Sequence, residues 1–176
     1  RAVPGAAAAL LTRFGVVFAQ DAQTATHLRA LGVPQTRLRA LGSLKETLMP
    51  LPFDTAERDR LRALWAGRPL WLAASTHTGE ETLVLQAHAL ARQSMPDLLL
   101  ILAPRHPERG AALEAEVAAA NFAGARRSLR QDAGTDVAVY LADTLGELGL
   151  WFDLAPLAFI GGSLVPVGGH NAYEPV

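Results

Sequence analysis

The sequence has no cysteine, only one lysine, and no apolar run close to the roughly 20 residues that a membrane-spanning helix needs. Without cysteine there is neither a disulfide framework nor thiolate chemistry, which fits a reducing compartment. The formal net charge of −1 gives no bulk reason to expect a nucleic-acid partner. Half of the 176 residues are hydrophobic and 19% are charged, so the composition is that of a globular protein.

Several familiar site signatures are also missing. The sequence contains no Gly-x-x-x-x-Gly-Lys-Ser/Thr phosphate loop, no Gly-x-Gly-x-x-Gly after a first strand and no Gly-x-Ser-x-Gly elbow. His77, His106 and His170 lack the spacing of metal ligands, and no Asp-x-Asp pair is present to hold a divalent ion beside a diphosphate. His27 and His88 lie on predicted helices, where surface positions or structural hydrogen bonds are expected.

Strand, polar loop and helix alternate along the chain, which predicts an α/β fold with a parallel sheet and crossover helices. Strands are predicted at residues 14–19, 38–41, 69–74, 98–103, 137–141 and 157–160. Helices are predicted at residues 6–13, 22–31, 55–66, 80–93, 110–121 and 146–152. The stretch 122–135 is weakly patterned and is assigned no element. Pro50 and Pro52 mark the best candidate for a domain junction.

Ligands of parallel sheets bind at the carboxyl ends of the strands, and polar loops follow four of the predicted strands. The loop 75–81 has hydroxyls and a helix start that suit an anion, although a simple capping box fits it as well. Arg105 and His106 follow the next strand. They are either residues of a binding site or part of a solvent-exposed loop. Gly146 and Glu147 begin a further predicted helix. Their backbone N–H groups either bind a ligand or only take part in ordinary helix capping.

The fourth loop, 161–174, carries the strongest signal. An apolar run leads into the pairs Gly161-Gly162 and Gly168-Gly169, and polar side chains follow directly. Glycine pairs allow backbone N–H groups to point at an anion, with side chains adding directional contacts. The pattern predicts a site for a phosphorylated, hydroxylated ligand. The single lysine, Lys45, lies beside the predicted junction, where it either meets a phosphate across a cleft or is an ordinary exposed lysine.

These motifs, in this order, resemble the 3-deoxy-D-manno-oct-2-ulosonic acid (Kdo) transferases of lipopolysaccharide assembly. The match covers nearly the whole chain and includes residues 42–45, 73–81, 104–109, 143–148 and 161–175. The last of these segments is highly specific. The others are specific only in combination.

The resemblance implies a two-domain glycosyltransferase of the GT-B type (family 30), with two Rossmann-like halves facing across a cleft. Residues 1–46 are then expected to finish the N-terminal, acceptor-side domain and linker. Residues 47–176 are expected to form the CMP-Kdo-binding domain, truncated at its C-terminus. The general base belongs to the family's N-terminal half, so no catalytic residue is expected in this chain. By itself the chain is expected to be soluble and inactive.

The activity implied by the resemblance is transfer of Kdo from CMP-Kdo to a lipid A precursor. It implies no metal or other cofactor, and no nucleic acid as a partner. The whole protein is expected to meet its acceptor at the cytoplasmic face of the bacterial inner membrane. Two alternatives stay open: another GT-B sugar-nucleotide enzyme (a transferase or an epimerase), which would prefer a uridine nucleotide, and a non-catalytic nucleotide-binding module.

The resemblance also places a set of residues around the donor. They are Lys45, Ser75, Thr76, Arg105, His106, Gly146, Glu147, Gly161, Gly162, Ser163, His170, Asn171 and Glu174. Of these, Arg105 and His106 are expected at the cytosine and phosphate region. Glu174 is expected to accept hydrogen bonds from the ribose hydroxyls, and Lys45 to reach the donor carboxylate or phosphate.

The remaining members of the set receive more local roles. Ser75-Thr76 is expected near the phosphate, and Gly146-Glu147 is expected to add backbone N–H groups from a helix start. The segment Gly161–Ser163 is expected to form the floor beneath the donor, and His170-Asn171 to face the phosphate or the sugar.

Overall fold

The computed structural model describes residues 4–40 and 50–166. The chain divides into two compact units, Arg1–Met49 and Pro50–Val176. The boundary predicted between residues 46 and 47 lies outside the described residues, and the assignment of the two parts to acceptor and donor domains stays a prediction. Within the described ranges, no helix is both long enough and apolar enough to cross a membrane.

The first unit is a small parallel β-α-β arrangement preceded by a helix. Its elements are α1 (Pro4–Leu11), β1 (Val17–Ala19), α2 (Ala22–Ala30) and β2 (Leu38–Ala40). Asp21 caps α2 by accepting a hydrogen bond from the backbone N–H of Thr24 at 2.6 Å, which is the preferred way to satisfy the first turn of a helix.

The second unit is built on a five-stranded sheet in which every pairing is parallel. Its strands are β3 (Leu70–Thr76), β4 (Leu99–Pro104), β5 (Gly124–Arg126), β6 (Val139–Leu141) and β7 (Ala158–Ile160). The strand order is β5-β6-β4-β3-β7. The helices are α3 (Thr55–Leu64), α4 (Glu80–Arg92), α5 (Gly110–Ala119) and α6 (Leu148–Leu154).

Helices cover both faces of this sheet. Alternate strand residues such as Leu72 and Ile101 pack with α3 and α6 on one face, and their neighbours such as Ala73 and Leu102 pack with α4 and α5 on the other. Strands that are buried on both faces read as continuous apolar runs, which explains why the central strands are visible in the sequence. The arrangement confirms the predicted α/β class and its Rossmann-like sheet.

One strand was not predicted, and several elements begin at other residues than predicted, among them β1 at Val17 and α6 at Leu148. The edge strand β5 lies in the stretch 122–135 and pairs with β6 through Gly124 and Val139; it was missed because three residues, Gly-Ala-Arg, contain no apolar run. Helix α6 begins at Leu148 and not at Gly146. Gly146 has a φ of 82°, a left-handed conformation that a residue inside a right-handed helix does not adopt.

Candidate functional site

Three of the predicted loops line one cavity at the carboxyl ends of β3, β4 and β6. The cavity has a volume of about 140 Å³. It is lined by Ser75, Ala103, Pro104, Arg105, Pro107, Ala142, Thr144, Leu145, Gly146 and Leu148. The structure therefore brings Ser75, Arg105 and Gly146 together, as the edge of a parallel sheet requires.

The end of β3 is bent where it meets this cavity. Ser75 has a φ of 55°, and the register of β3 against β4 shifts between Ala74 and Thr76. A left-handed backbone is unfavourable for a residue other than glycine, so surrounding contacts must hold it. The bend places Ser75 on the cavity wall. Thr76 is fully buried, and its hydroxyl donates a hydrogen bond to Oε1 of Glu81 at 3.1 Å.

Glu81 links this strand end to the loop after β4. Its carboxylate is fully buried, and Oε1 also accepts a hydrogen bond from Nη1 of Arg109 at 2.6 Å. Arg109 ends the short 3₁₀ turn Pro107–Arg109. A buried carboxylate paired with an arginine is stabilised by a charge-assisted hydrogen bond. The pair therefore holds the start of α4 next to the loop after β4.

Arg105 and His106 sit at the start of the loop after β4. The backbone N–H of Arg105 donates to the carbonyl oxygen of Thr76 at 3.0 Å, while its side chain is exposed. Among the described residues, no carboxylate pairs with the Arg105 guanidinium. His106 is exposed and does not line the cavity; its Nδ1 lies 3.4 Å from Oε1 of Glu108. Its ring also packs edge-on against the ring of His77.

Gly146 and Glu147, at the predicted helix start, have different environments. Gly146 lines the cavity, while the Glu147 carboxylate accepts hydrogen bonds from Arg127, with Nε 3.0 Å from Oε2, and from the Thr144 hydroxyl. Burial of Glu147 opposes its ionisation, but these hydrogen bonds outweigh burial and lower its pKa. The carboxylate of Glu147 is therefore an internal acceptor, and a contact of its backbone N–H with a ligand stays a prediction.

The glycine-rich loop after β7 does surround an anion, and that anion belongs to the chain itself. The backbone N–H groups of Gly162 and Ser163 donate to the carboxylate of Glu80 at 2.8–3.1 Å. Gly161 is pressed against the end of β3: a Cβ added to it would lie 2.4 Å from the carbonyl oxygen of Ser75. Gly161 is thus a position where close approach of two backbones requires glycine.

Part of the predicted site lies outside the described residues. These positions are Lys45, His170, Asn171 and Glu174. Their expected contacts with the donor stay predictions. Among the described residues, no group of three or more histidine, aspartate or glutamate side chains is arranged to hold a metal ion.

The chain is similar in sequence to proteins that have been named. No family model matches the chain. A protein of Haemophilus influenzae named 3-deoxy-D-manno-octulosonic acid transferase is 37% identical over 166 residues, which are 94% of this chain and 39% of that protein. A protein of the same name from Bordetella pertussis is 39% identical over 137 residues, which are 70% of this chain and 31% of that protein.

A solved structure is similar as well. It is described as the C-terminal CMP-Kdo binding domain of WaaA from Acinetobacter baumannii. It is 40% identical to this chain with a TM-score of 0.64, and the match covers 68% of this chain and 64% of that one. This chain belongs to the Kdo transferase family. The GT-B class predicted from the resemblance is thereby confirmed.

The chain spans less than two fifths of the length of the curated family members named above, at 39% and 31%. Their names describe whole proteins, and this chain corresponds to one part of each. Sequence identity and fold both support the family assignment, because the solved structure is 40% identical to this chain and has a TM-score of 0.64.

A larger cleft adjoins the cavity of this Kdo transferase family member and was missed at the sequence level. Its volume is about 770 Å³, and it shares Thr144 and Leu145 with the cavity. It is lined by Asp54, Glu57, Arg60, Arg127, Ser128, Arg130, Gln131, Asp132, Thr144, Leu145 and Glu147. The lining carries both signs of charge, so the cleft as a whole does not select an anion.

An ion-pair network crosses this cleft. Arg127 donates to Glu147 and, through Nη1, to Oε1 of Glu57 at 2.5 Å. Arg60 donates to Glu57 at 2.8 Å and to Asp132 at 3.0 Å. The hydrogen bond from Arg60 is the main cause that lowers the pKa of Glu57 to about 2, and Arg127 adds to it. The only sequence signal was the adjacent pair Arg126-Arg127 within a weakly patterned stretch.

Proposed function

We propose that this chain forms the CMP-Kdo-binding part of an enzyme that transfers Kdo to a lipid A precursor in lipopolysaccharide biosynthesis. The observation that carries the proposal is the convergence of Ser75, Arg105 and Gly146 on one cavity at the strand ends. The similar domain of the Acinetobacter baumannii protein is described as CMP-Kdo binding, which supports this donor.

The lining of the cavity suits one end of a nucleotide. Pro104, Pro107, Leu145 and Leu148 provide apolar surface for a base or ribose, and the Arg105 guanidinium offers a positive charge with bidentate donors for a phosphate. Most small-molecule sites combine an apolar wall with a few such directional groups. We therefore place the CMP phosphate at Arg105 and the cytidine along the apolar wall.

The chemistry of the proposed transfer explains the need for a cation at this place. The acceptor oxygen bonds to the anomeric carbon of Kdo, the bond from that carbon to the phosphate oxygen breaks, and CMP leaves with the electron pair. The acceptor proton passes to a general base that we place outside this chain. Negative charge grows on the departing phosphate, and a preorganised donor such as Arg105 lowers the energy of that transition state.

Removal of single side chains tests this assignment in the protein at the full length of its curated relatives. Arg105→Ala is expected to weaken CMP binding by roughly 10- to 100-fold in isothermal titration, because a charge-assisted hydrogen bond is lost. Glu174→Ala is expected to weaken it through the ribose. Arg62→Ala is the matched control: Arg62 pairs with Asp153 on the surface and does not line the cavity.

The possible results separate the candidate functions. Unchanged CMP affinity in both Arg105→Ala and Glu174→Ala contradicts the assigned site. A preference for uridine nucleotides indicates another sugar-nucleotide enzyme of the GT-B type. CMP binding without Kdo transfer to a lipid A precursor indicates a non-catalytic nucleotide-binding module.

We extend the proposal to the conditions of the reaction, on the strength of the family resemblance. The acceptor is a lipid A precursor bound by the other half of the enzyme, at the cytoplasmic face of the inner membrane. Transfer needs no metal, so Kdo transfer is expected to be unaffected by an excess of EDTA. Loss of activity on chelation, with recovery on adding a divalent cation, contradicts this part of the proposal.

A further inference from the structure

Glu80, the first residue of α4, is held by four backbone N–H groups. Its Oε1 accepts from Gly162 at 2.9 Å, from Ser163 at 3.1 Å and from Leu164 at 3.0 Å. Its Oε2 accepts from His77 at 2.9 Å and from Gly162 at 2.8 Å. Glu80 is fully buried. We refer to the donors of Gly162, Ser163 and Leu164 as the 162–164 nest.

Successive backbone N–H groups that converge in this way form a binding site for an anion. In this protein the anion is supplied by the chain itself, from a position 82 residues earlier. Burial of Glu80 disfavours the charged carboxylate, but the hydrogen bonds from the nest and from His77 outweigh it and lower its pKa. The carboxylate therefore stays ionised below the pH at which an ordinary glutamate is protonated.

The contact joins two of the loops that follow strands of the sheet. The N–H of Gly161 donates to the carbonyl oxygen of Ala74 at 2.8 Å, and Gly161 lies directly against Ser75. Glu80 then fixes the next three residues of the same loop. Since Ser75 lines the cavity, the position of the loop after β7 determines the surroundings of that wall.

We propose that Glu80 is a positioning residue of the donor site: its carboxylate fills the 162–164 nest and thereby fixes the loop after β7 against Ser75. This inference rests on the proposed function, because it is CMP-Kdo that the positioned wall receives. It also has a consequence for the donor. The phosphate is bound by other groups, including Arg105, since the N–H groups of the nest are already occupied.

Three variants of Glu80, made in the protein at the full length of its curated relatives, test the proposal. Glu80→Gln has the same shape but presents an NH₂ group to a backbone N–H, so it removes one acceptor. Glu80→Asp keeps the charge with a shorter reach. Glu80→Ala empties the nest and leaves room for formate, a small carboxylate that can take the place of the lost group. Asp54→Ala is the control, because Asp54 also accepts from two backbone N–H groups, those of Ala56 and Glu57, but does so at the exposed start of α3.

Two measurements are combined. Hydrogen–deuterium exchange of peptides covering residues 161–166 reports whether the nest is held, and steady-state kinetics report KM and kcat for CMP-Kdo. We expect Glu80→Gln and Glu80→Ala to lose exchange protection in this segment and to raise KM by roughly tenfold or more, with Glu80→Asp in between. Formate is expected to restore both quantities in Glu80→Ala and to have no effect on the wild type or on Asp54→Ala.

The outcomes distinguish this inference from the function on which it rests. Unchanged protection of residues 161–166 in Glu80→Gln and Glu80→Ala overturns it, as does an unchanged KM despite lost protection, or a lack of rescue by formate. A wild-type protein that does not bind CMP-Kdo refutes the proposed function, and the role at the donor site fails with it. The exchange data then still decide whether Glu80 holds the loop.

Discussion

The buried histidine His88 leads to a prediction about the pH dependence of stability. It lies on α4 with no exposed surface. Trp71 donates through Nε1 to its Nδ1 at 3.1 Å, and its Nε2 lies 3.0 Å from the carbonyl oxygen of Ala138. An indole nitrogen only donates and a carbonyl only accepts, so the ring is neutral with its proton on Nε2. Protonation of Nδ1 would set two donors against each other.

The size of the effect follows from the pKa of His88. Burial lowers it from 6.5 to about 4, against the hydrogen bond to Ala138, and the nearby cations Arg92 and Arg68 lower it further. As the pH falls below 6.5, His88 binds a proton in the unfolded chain but not in the folded protein, so the free energy of unfolding decreases. The loss is complete near pH 4 and amounts to about 3 kcal/mol in the free energy of unfolding.

Urea unfolding at a series of pH values between 7 and 4 measures this contribution, with tryptophan fluorescence as the signal. All three tryptophans, Trp65, Trp71 and Trp151, belong to the unit Pro50–Val176, so the signal reports on the unit that contains His88. The variant His88→Gln lacks the titrating group. We expect it to be less stable than the wild type at pH 7, and the difference to shrink by about 3 kcal/mol by pH 4.

The comparison with a variant cancels the contributions of other titrating groups. His106→Gln removes an exposed histidine from the same unit and serves as the control variant. A stability difference between wild type and His88→Gln that stays constant from pH 7 to 4 refutes the argument from burial and tautomer.

Two further substitutions test the packing around the site. Gly161→Ala is expected to lower the free energy of unfolding by about 1–3 kcal/mol, because the new Cβ would clash with the backbone at the end of β3. Gly15→Ala is the control, because nothing lies within 4 Å of its added Cβ. Equal melting temperatures of the two variants would argue against the close approach. Arg127→Gln is expected to lower the free energy of unfolding by about 1–3 kcal/mol, because it removes the arginine hydrogen-bond donors that Arg127 provides to Glu57 and Glu147. The exposed Arg130 gives the control Arg130→Gln, and a urea midpoint that is the same for both arginine variants contradicts the role of the network.

The fold was predictable where buried strands give continuous apolar runs in the sequence. β3 and β4 are covered on both faces, so nearly every residue in them is apolar, and both appeared as continuous runs. β5 was not predictable, because its three residues become a strand only by pairing with β6 at the sheet edge. The start of α6 was placed two residues early because the left-handed φ of Gly146 is a feature of the turn and not of its composition.

The candidate site was predictable to the extent that it follows from topology. Once the strands were known to be parallel, the loops after them had to share an edge, and Ser75, Arg105 and Gly146 do line one cavity. The partners of the polar groups did not follow in the same way. The glycine-rich loop was predicted to bind a ligand anion, whereas in the structure its backbone N–H groups contact Glu80, which the sequence marks only as a residue near a helix start.

The amino-acid sequence by itself determined the α/β class, the alternation of strands and helices, and the family to which the chain belongs. These properties are carried by local patterns and by motifs in a fixed order along the chain. Only the tertiary structure decided which polar groups meet: Glu80 with the loop after β7, Arg127 with Glu57 and Glu147, and His88 with Trp71. These pairs join residues between 17 and 84 positions apart, and hydrogen bonds between such distant groups depend on folded geometry that no local pattern encodes.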